Sequence, residues 1–205
     1  MMNRLSKLCV ATAAAALVGA PLAAAHAQSS NDTMAPSKYT LELYLAQYSF
    51  DAPAGGGRDG IGGFGARLMF GGGDVTKTLN TFFNRARAGV FATYTGTQKN
   101  YSTWHIGGQG DFPLFVAPMD GWLDPFVSLG AGVFHTKIEA AAFPGGTIPA
   151  GFSATENKFA LTPAAGTLIP ITGAIKFRGD LRDVIVFGSS TTNNLVAEGG
   201  ISVGF

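Results

Sequence analysis

Residues 175–182 read IKFRGDLR, and this short alternation decides the fold. Successive side chains of a β-strand point to opposite faces. Ile175, Phe177, Gly179 and Leu181 therefore form one face, and Lys176, Arg178, Asp180 and Arg182 form the other. An apolar face backed by a charged one at period two marks a strand that separates two environments.

Working outward, the same period recurs seven more times between Gly-, Pro-, Asn- and Asp-rich breaks. Towards the C-terminus, Ala197, Gly199, Ile201, Val203 and Phe205 oppose Glu198, Gly200, Ser202 and Gly204. Upstream, Phe159, Leu161, Pro163 and Ala165 oppose Lys158, Ala160, Thr162, Ala164 and Gly166, although Pro163 can give no ladder hydrogen bond. Pro125, Val127, Leu129, Ala131 and Val133 oppose Phe126, Ser128, Gly130, Gly132 and Phe134, with Pro125 at a strand start. Trp104, Ile106 and Gly108 oppose His105, Gly107 and Gln109, and Ala88, Val90, Ala92 and Tyr94 oppose Arg87, Gly89, Phe91 and Thr93. The two earliest stretches set Phe64, Ala66, Leu68 and Phe70 against Gly63, Gly65, Arg67 and Met69, and Tyr39, Leu41, Leu43 and Leu45 against Thr40, Glu42, Tyr44 and Ala46.

Alternation alone fits a soluble barrel with an apolar lumen, such as a lipocalin-like carrier, as well as a membrane barrel with an apolar exterior. The charges separate the two. Glu42, Arg67, Arg87, Lys158, Arg178, Asp180, Arg182 and Glu198 all fall opposite the Leu/Val/Phe face, among Gly, Ala, Ser and Thr. A solvated face would be rich in Lys and Glu instead. The charged face is thus expected inside, where an eight-stranded barrel has room only for side chains. Hydrophobic residues make up 46% of the sequence and charged ones 13%, against about 25% charged in ordinary soluble domains. Beyond the N-terminal leader no segment reaches the roughly 20 apolar residues of a spanning helix, so a membrane protein of this composition must span as strands.

The leader itself has Arg4 and Lys7 ahead of an Ala/Leu/Val run from Leu8 to Leu22, and then Ala25-His26-Ala27 before Gln28. These are the parts of a cleaved signal peptide over residues 1–27, with Ala25 and Ala27 as the small cleavage residues. Cys9, the only cysteine, falls inside it, so no disulfide is expected in the mature chain. Residues 28–37 then form a short N-terminal segment and 38–205 the barrel. Without Arg4 and Lys7 the chain keeps 12 basic against 13 acidic residues, a balance that implies no polyanion or nucleic-acid partner.

The closing stretch LVAEGGISVGF, Leu195 to Phe205, resembles the last strand of small outer-membrane barrels. PFVSLGAGVF at 125–134 and IKFRGDLRD at 175–183 are similar to mid-barrel strands of the OmpA/OmpX/OmpW-like superfamily. The resemblance covers Lys38 to Phe205 and implies an eight-stranded antiparallel up-and-down transmembrane barrel in the outer membrane of a Gram-negative-type cell. It further implies contact with outer-membrane lipid and lipopolysaccharide, a monomer, and recognition by the barrel-assembly machinery through Ile201, Val203 and Phe205. Unlike OmpA, the chain is expected to end at the barrel, without a cell-wall-binding domain.

On this topology the loops 50–60, 96–102, 136–157 and 187–194 are expected outside the cell. Residues 71–84 and 111–124, expected in the periplasm, look long for such turns. A short helix from Val75 to Phe83, capped by Asp74, is one way to fill the first. Girdle aromatics are expected at Tyr39, Phe70, Tyr94, Tyr101, Trp104, Trp122 and Phe205. A hairpin centred near Ser190 would set Glu198 opposite Arg182, with Arg178 and Glu42 in the same cluster.

Three functions follow. The first is a non-enzymatic barrel filled by side chains, with a structural or surface-contact role. The second is a narrow channel along the glycine-rich inner face. The third is a lipid-modifying enzyme using His135, near Ser128, Thr136 and Glu139, but no nucleophile and base stand at a recognisable spacing. No metal-ligand cluster or phosphate-binding loop is present in the sequence, and neither a catalytic site nor a cofactor is expected.

Overall fold

The computed structural model describes residues 38–51, 58–71, 85–97, 100–115, 122–139, 146–147, 154–188 and 191–205. Eight strands, β1 (Tyr39–Asp51), β2 (Arg58–Gly71), β3 (Arg87–Tyr94), β4 (Tyr101–Pro113), β5 (Asp124–Ile138), β6 (Thr155–Pro170), β7 (Ile175–Phe187) and β8 (Thr192–Gly204), pair in chain order and close as β8 meets β1. Every pairing is antiparallel. Closure leaves no sheet edge, which a strand-built membrane protein requires because lipid offers no hydrogen bonds. The seam extends to the chain end: Tyr39 N–H donates to the Phe205 carbonyl (3.0 Å) and Phe205 N–H to that of Tyr39 (2.9 Å). An even strand count sets this seam and the connections after β2, β4 and β6 at one end, the terminus end. The connections after the odd strands lie at the other, the loop end.

The strands extend beyond the alternating stretches of the sequence. β5 continues through Thr136 and Lys137 to Ile138, and these pair with Glu156 and Thr155 of β6. β4 runs on to Pro113, which places Asp111 inside the sheet, paired with Arg87 and Ser128. The reason is physical: a backbone ladder persists where both faces are polar, whereas the hydrophobic alternation that reveals a strand stops at the apolar band. The expected helix from Val75 to Phe83 and the leader, residues 1–27, lie outside the described residues. Pro163 interrupts the β6–β7 ladder, which is paired at Leu161↔Ile185 and again at Ala164↔Arg182. The missing N–H is the cause.

The outward face carries Leu45, Phe64, Phe70, Val90, Ile106, Leu129, Val133, Phe159 and Leu181, all exposed. From Pro125 to Val133 of β5, at about 3.3 Å per residue and a tilt of about 40°, this band rises about 20 Å. That approaches the roughly 25 Å apolar belt of outer-membrane barrels. Aromatic contacts bracket it. At the terminus end Tyr39 meets Phe70 edge-on at 5.8 Å and Phe205 at 6.0 Å. At the loop end Phe64 meets Tyr94 at 6.0 Å and Phe159 meets Phe187 at 5.9 Å. Tyr101 departs from the expected girdle, since it shares the strand parity of inward-facing Thr103.

Candidate functional site

The inward face of the middle of the barrel carries a belt of charge. Glu42 on β1, Arg67 on β2, Asp111 on β4, Arg178, Asp180 and Arg182 on β7 and Glu198 on β8 are buried. Arg87 on β3 retains 15% side-chain exposure. Four guanidinium groups thus meet four carboxylates, a formally neutral set. Neutrality and dense pairing are what permit charges in so dry a space, because an unpaired ion there would carry a large desolvation penalty.

Arg178 reaches across the lumen. Its Nη1 donates to Asp111 Oδ2 (2.5 Å), its Nε donates to Asp180 Oδ2 (2.8 Å), and Nη1 also lies 3.2 Å from Glu42 Oε2. Asp111 is shared: Arg87 Nη2 stands 2.8 Å from Oδ2, and Gln109 Nε2 donates to Oδ1 (2.9 Å). Arg87 Nη1 also meets Glu42 Oε1 at 3.2 Å. Arg67 pairs with Glu198, approaches Glu42 Oε2 at 3.4 Å, and donates through Nε to Gln109 Oε1 (3.1 Å). Arg182 donates to the same Gln109 oxygen and to Thr162 Oγ1, both at 3.1 Å, and its Nε lies 3.5 Å from Glu198 Oε2. The guanidinium of Arg67 lies 4.0 Å from the centre of the Tyr44 ring and that of Arg178 4.2 Å from Phe126, contacts that supply cation–π attraction at no cost in hydrogen bonds.

Two sequence expectations need correction. Lys158 is not brought into the belt. It lies near the loop end, where its Nζ pairs with Glu156 Oε2 at 2.6 Å and both side chains are partly exposed, because its strand position is well above the level of Arg182 and Glu198. The β7–β8 register also differs by two residues from a hairpin centred at Ser190. Glu198 stands opposite Asp180, and Arg182 opposite Val196. The two facing carboxylates are held by Arg67 and Arg182 on either side. Arg178 holds the same Asp180 more closely, through Nε at 2.8 Å, and reaches Asp111 and Glu42 with Nη1.

Asp111 is the belt residue the sequence reading missed. The alternation read from the sequence ends at Gln109 and leaves Asp111 in the connection 111–124, yet continuing the parity of His105, Gly107 and Gln109 by one more step places it inward.

Towards the loop end the lumen turns apolar. Tyr44, Ala46, Tyr48, Phe134, Ala160, Val184, Val186 and Val196 form one buried cluster. His105 is packed among its neighbours, 4.7 Å from the Phe91 ring and 5.6 Å from Phe134. Three glycines of the inner face lie directly beneath this filling. A Cβ on Gly65 would lie 2.5 Å from the Tyr44 ring, on Gly107 2.9 Å from Phe91, and on Gly166 2.8 Å from Phe126. Near the terminus end Arg85 Nη2 meets Asp124 Oδ2 at 2.5 Å.

His135 is outside the lumen. Its ring stacks on Trp104 (4.8 Å, 10° between planes) and its Nδ1 shares a 2.7 Å hydrogen bond with Asn157 Oδ1. These are a base and an orienting group; the hydroxyls of Ser128 and Thr136 have inward parity, away from the imidazole, while those of Ser102 and Thr155 lie one row further along the same outward face. Among the described residues no three His, Cys, Asp or Glu side chains are grouped as metal ligands would be.

A closed eight-stranded antiparallel sheet with an apolar exterior and a charged inward face is an architecture that small outer-membrane β-barrels have. Among solved structures, Neisserial surface protein A aligns with a TM-score of 0.54 at 14% identity, over 82% of this chain and 98% of that one. The N-terminal β-barrel domain of Pseudomonas aeruginosa OprF aligns with a TM-score of 0.50 at 12% identity, over 81% and 97%. At such identities the likeness is one of fold. No protein-family model matches the sequence, and no curated protein matches it significantly.

Proposed function

We propose that the chain is an integral outer-membrane protein whose barrel is a plug of side chains, with a structural or surface-contact role and no reaction of its own. The observation that carries this reading is the packed lumen beneath an apolar exterior: a neutral charge belt, an apolar cluster above it, and aromatic rings laid over the inner-face glycines Gly65, Gly107 and Gly166. A narrow channel would need those glycines to line a void, and ion pairs that bridge opposite walls close such a path. A lipid-modifying enzyme would need a nucleophile beside His135.

In this reading residues 1–27 direct export and are cleaved after Ala27, the strand ending in Ile201, Val203 and Phe205 is read by the barrel-assembly machinery, and the barrel sits as a monomer among phospholipid and lipopolysaccharide. Alkaline carbonate treatment of cell membranes tests it. The protein should stay with the pellet, begin at Gln28 by mass spectrometry, and release no fatty acid from lipid after refolding. Its appearance in the supernatant would remove the membrane assignment, and lipid deacylation would restore the enzyme.

A further inference from the structure

The outer rim at β4, β5 and β6 is graded by polarity row by row. Ladder pairing sets Ile106, Val133 and Phe159 side by side as the last apolar row of the band. One step towards the loop end come Trp104, His135 and Asn157, and one step further Ser102, Lys137 and Thr155. Strand parity directs all three rows outward, because His105, Phe134 and Ala160 beside them are buried in the lumen. If the band lies in hydrocarbon, the middle row sits at the level of lipid headgroups, where Trp and His side chains with one apolar and one polar end are favoured.

The middle row is also ordered. The Trp104–His135 stack and the His135 Nδ1 to Asn157 hydrogen bond fix the imidazole, so Nε2 is the ring nitrogen left for a ligand. Lys137, exposed and two residues further along β5, places an ammonium on the same face. Glu139 is the next residue on that line and is the carboxylate that competes for it. An ammonium beside a fixed imidazole, at headgroup depth, matches a phosphate group, which accepts a charge-assisted hydrogen bond from Lys137 and, when both ring nitrogens carry hydrogen, a second from His135 Nε2.

We propose that Lys137 and His135 bind the phosphate of an anionic lipid headgroup, with Trp104 as the apolar floor. The proposal rests on the membrane reading above. Trp104 supplies its own reporter, since Trp122 is the other tryptophan of the chain and can be replaced by Phe. The Trp122→Phe protein is refolded into phosphatidylcholine vesicles containing increasing fractions of phosphatidic acid, and Trp104 emission is followed. A saturable shift is expected, its midpoint moving about tenfold upward in Lys137→Ala, on the scale of one charge-assisted hydrogen bond, and restored in Lys137→Arg. An unchanged midpoint in Lys137→Ala, or in Lys137→Gln should the alanine variant not refold, overturns the proposal. So does an equal shift from inorganic phosphate in phosphatidylcholine alone, which would assign the site to the free ion. Carbonate extraction of the same vesicles separates the two claims: released protein overturns the membrane reading, whereas retained protein with no saturable response overturns this inference alone.

Discussion

Replacing Asp111 by alanine removes the carboxylate on which the charge belt converges. Arg178, Arg87 and Gln109 all point a donor at it, at 2.5, 2.8 and 2.9 Å, and the four-to-four balance becomes an excess of one positive charge. Truncating one partner of a buried ion pair typically costs about 3 to 5 kcal/mol. Here Arg178 keeps Asp180 and Glu42, Arg87 keeps Glu42, and Arg87 is partly exposed, so a loss of about 3 kcal/mol is expected, at the low end of that range. Asp111→Asn retains acceptor shape without charge and should fall between. Arg87→Ala added to Asp111→Ala restores neutrality, so the double variant should be more stable than the sum of the single losses implies, by about 1 to 2 kcal/mol, within the usual coupling of contacting residues. Urea unfolding of the refolded protein in lipid vesicles, followed by tryptophan emission, measures these differences as shifts of the transition midpoint at constant slope. A loss under about 0.5 kcal/mol, the ordinary size of a surface change, or full additivity of the two substitutions, would refute the argument that Asp111 neutralises buried arginines.

The same assay tests the register. Glu198→Ala relieves the facing Asp180 but removes the closest carboxylate of Arg67, which keeps Glu42 and Asp180 at longer range, so it should destabilise by about 2 to 3 kcal/mol, and adding Arg182→Ala should cost less than a further independent loss; full additivity would show that the pair does not interact. Glycine positions should divide by space: a Cβ on Gly107 meets the Ala131 backbone and the Phe91 ring, whereas one on Gly108 finds only the Gly89 carbonyl at 3.6 Å. Gly107→Ala should therefore lower stability by about 1 to 3 kcal/mol or more while Gly108→Ala stays within about 0.5 kcal/mol, and equal effects in thermal unfolding would contradict the packing described. Deleting Phe205 removes the residue whose backbone and ring both meet Tyr39 across the seam. Folded barrel in the membrane fraction should fall while export continues, and unchanged amounts would count against a role for this strand in assembly.

Strand parity was legible because the chain meets two contrasting environments. IKFRGDLR could be read from eight residues since its outward side chains are apolar and its inward ones charged. That contrast fades towards the loop end, where Thr136, Lys137, Glu156 and Asn157 are polar whichever way they point, and there the sequence shows a loop where the structure shows paired strands. It reverses in the upper lumen, where Tyr48, Val184 and Val196 are apolar and inward, so the apolar plug could not be inferred from charge. The belt's membership was partly legible from parity, but its pairing was not: a register error of two residues exchanges Asp180 for Arg182 opposite Glu198. Only long-range geometry brings Arg178 of β7 to Asp111 of β4, since nothing local to either residue encodes which walls of a barrel an arginine can span.

The central claim, a barrel filled from wall to wall, is tested most directly by electrical recording from the refolded full-length mature protein in planar lipid bilayers. Insertion, verified on the same sample by its resistance to carbonate extraction, should raise no conductance above that of the bare bilayer at neutral pH. Stable, reproducible unitary conductance steps from that inserted protein would show an open path past Arg178, Asp111 and the Tyr48–Phe134 cluster, and would contradict the account.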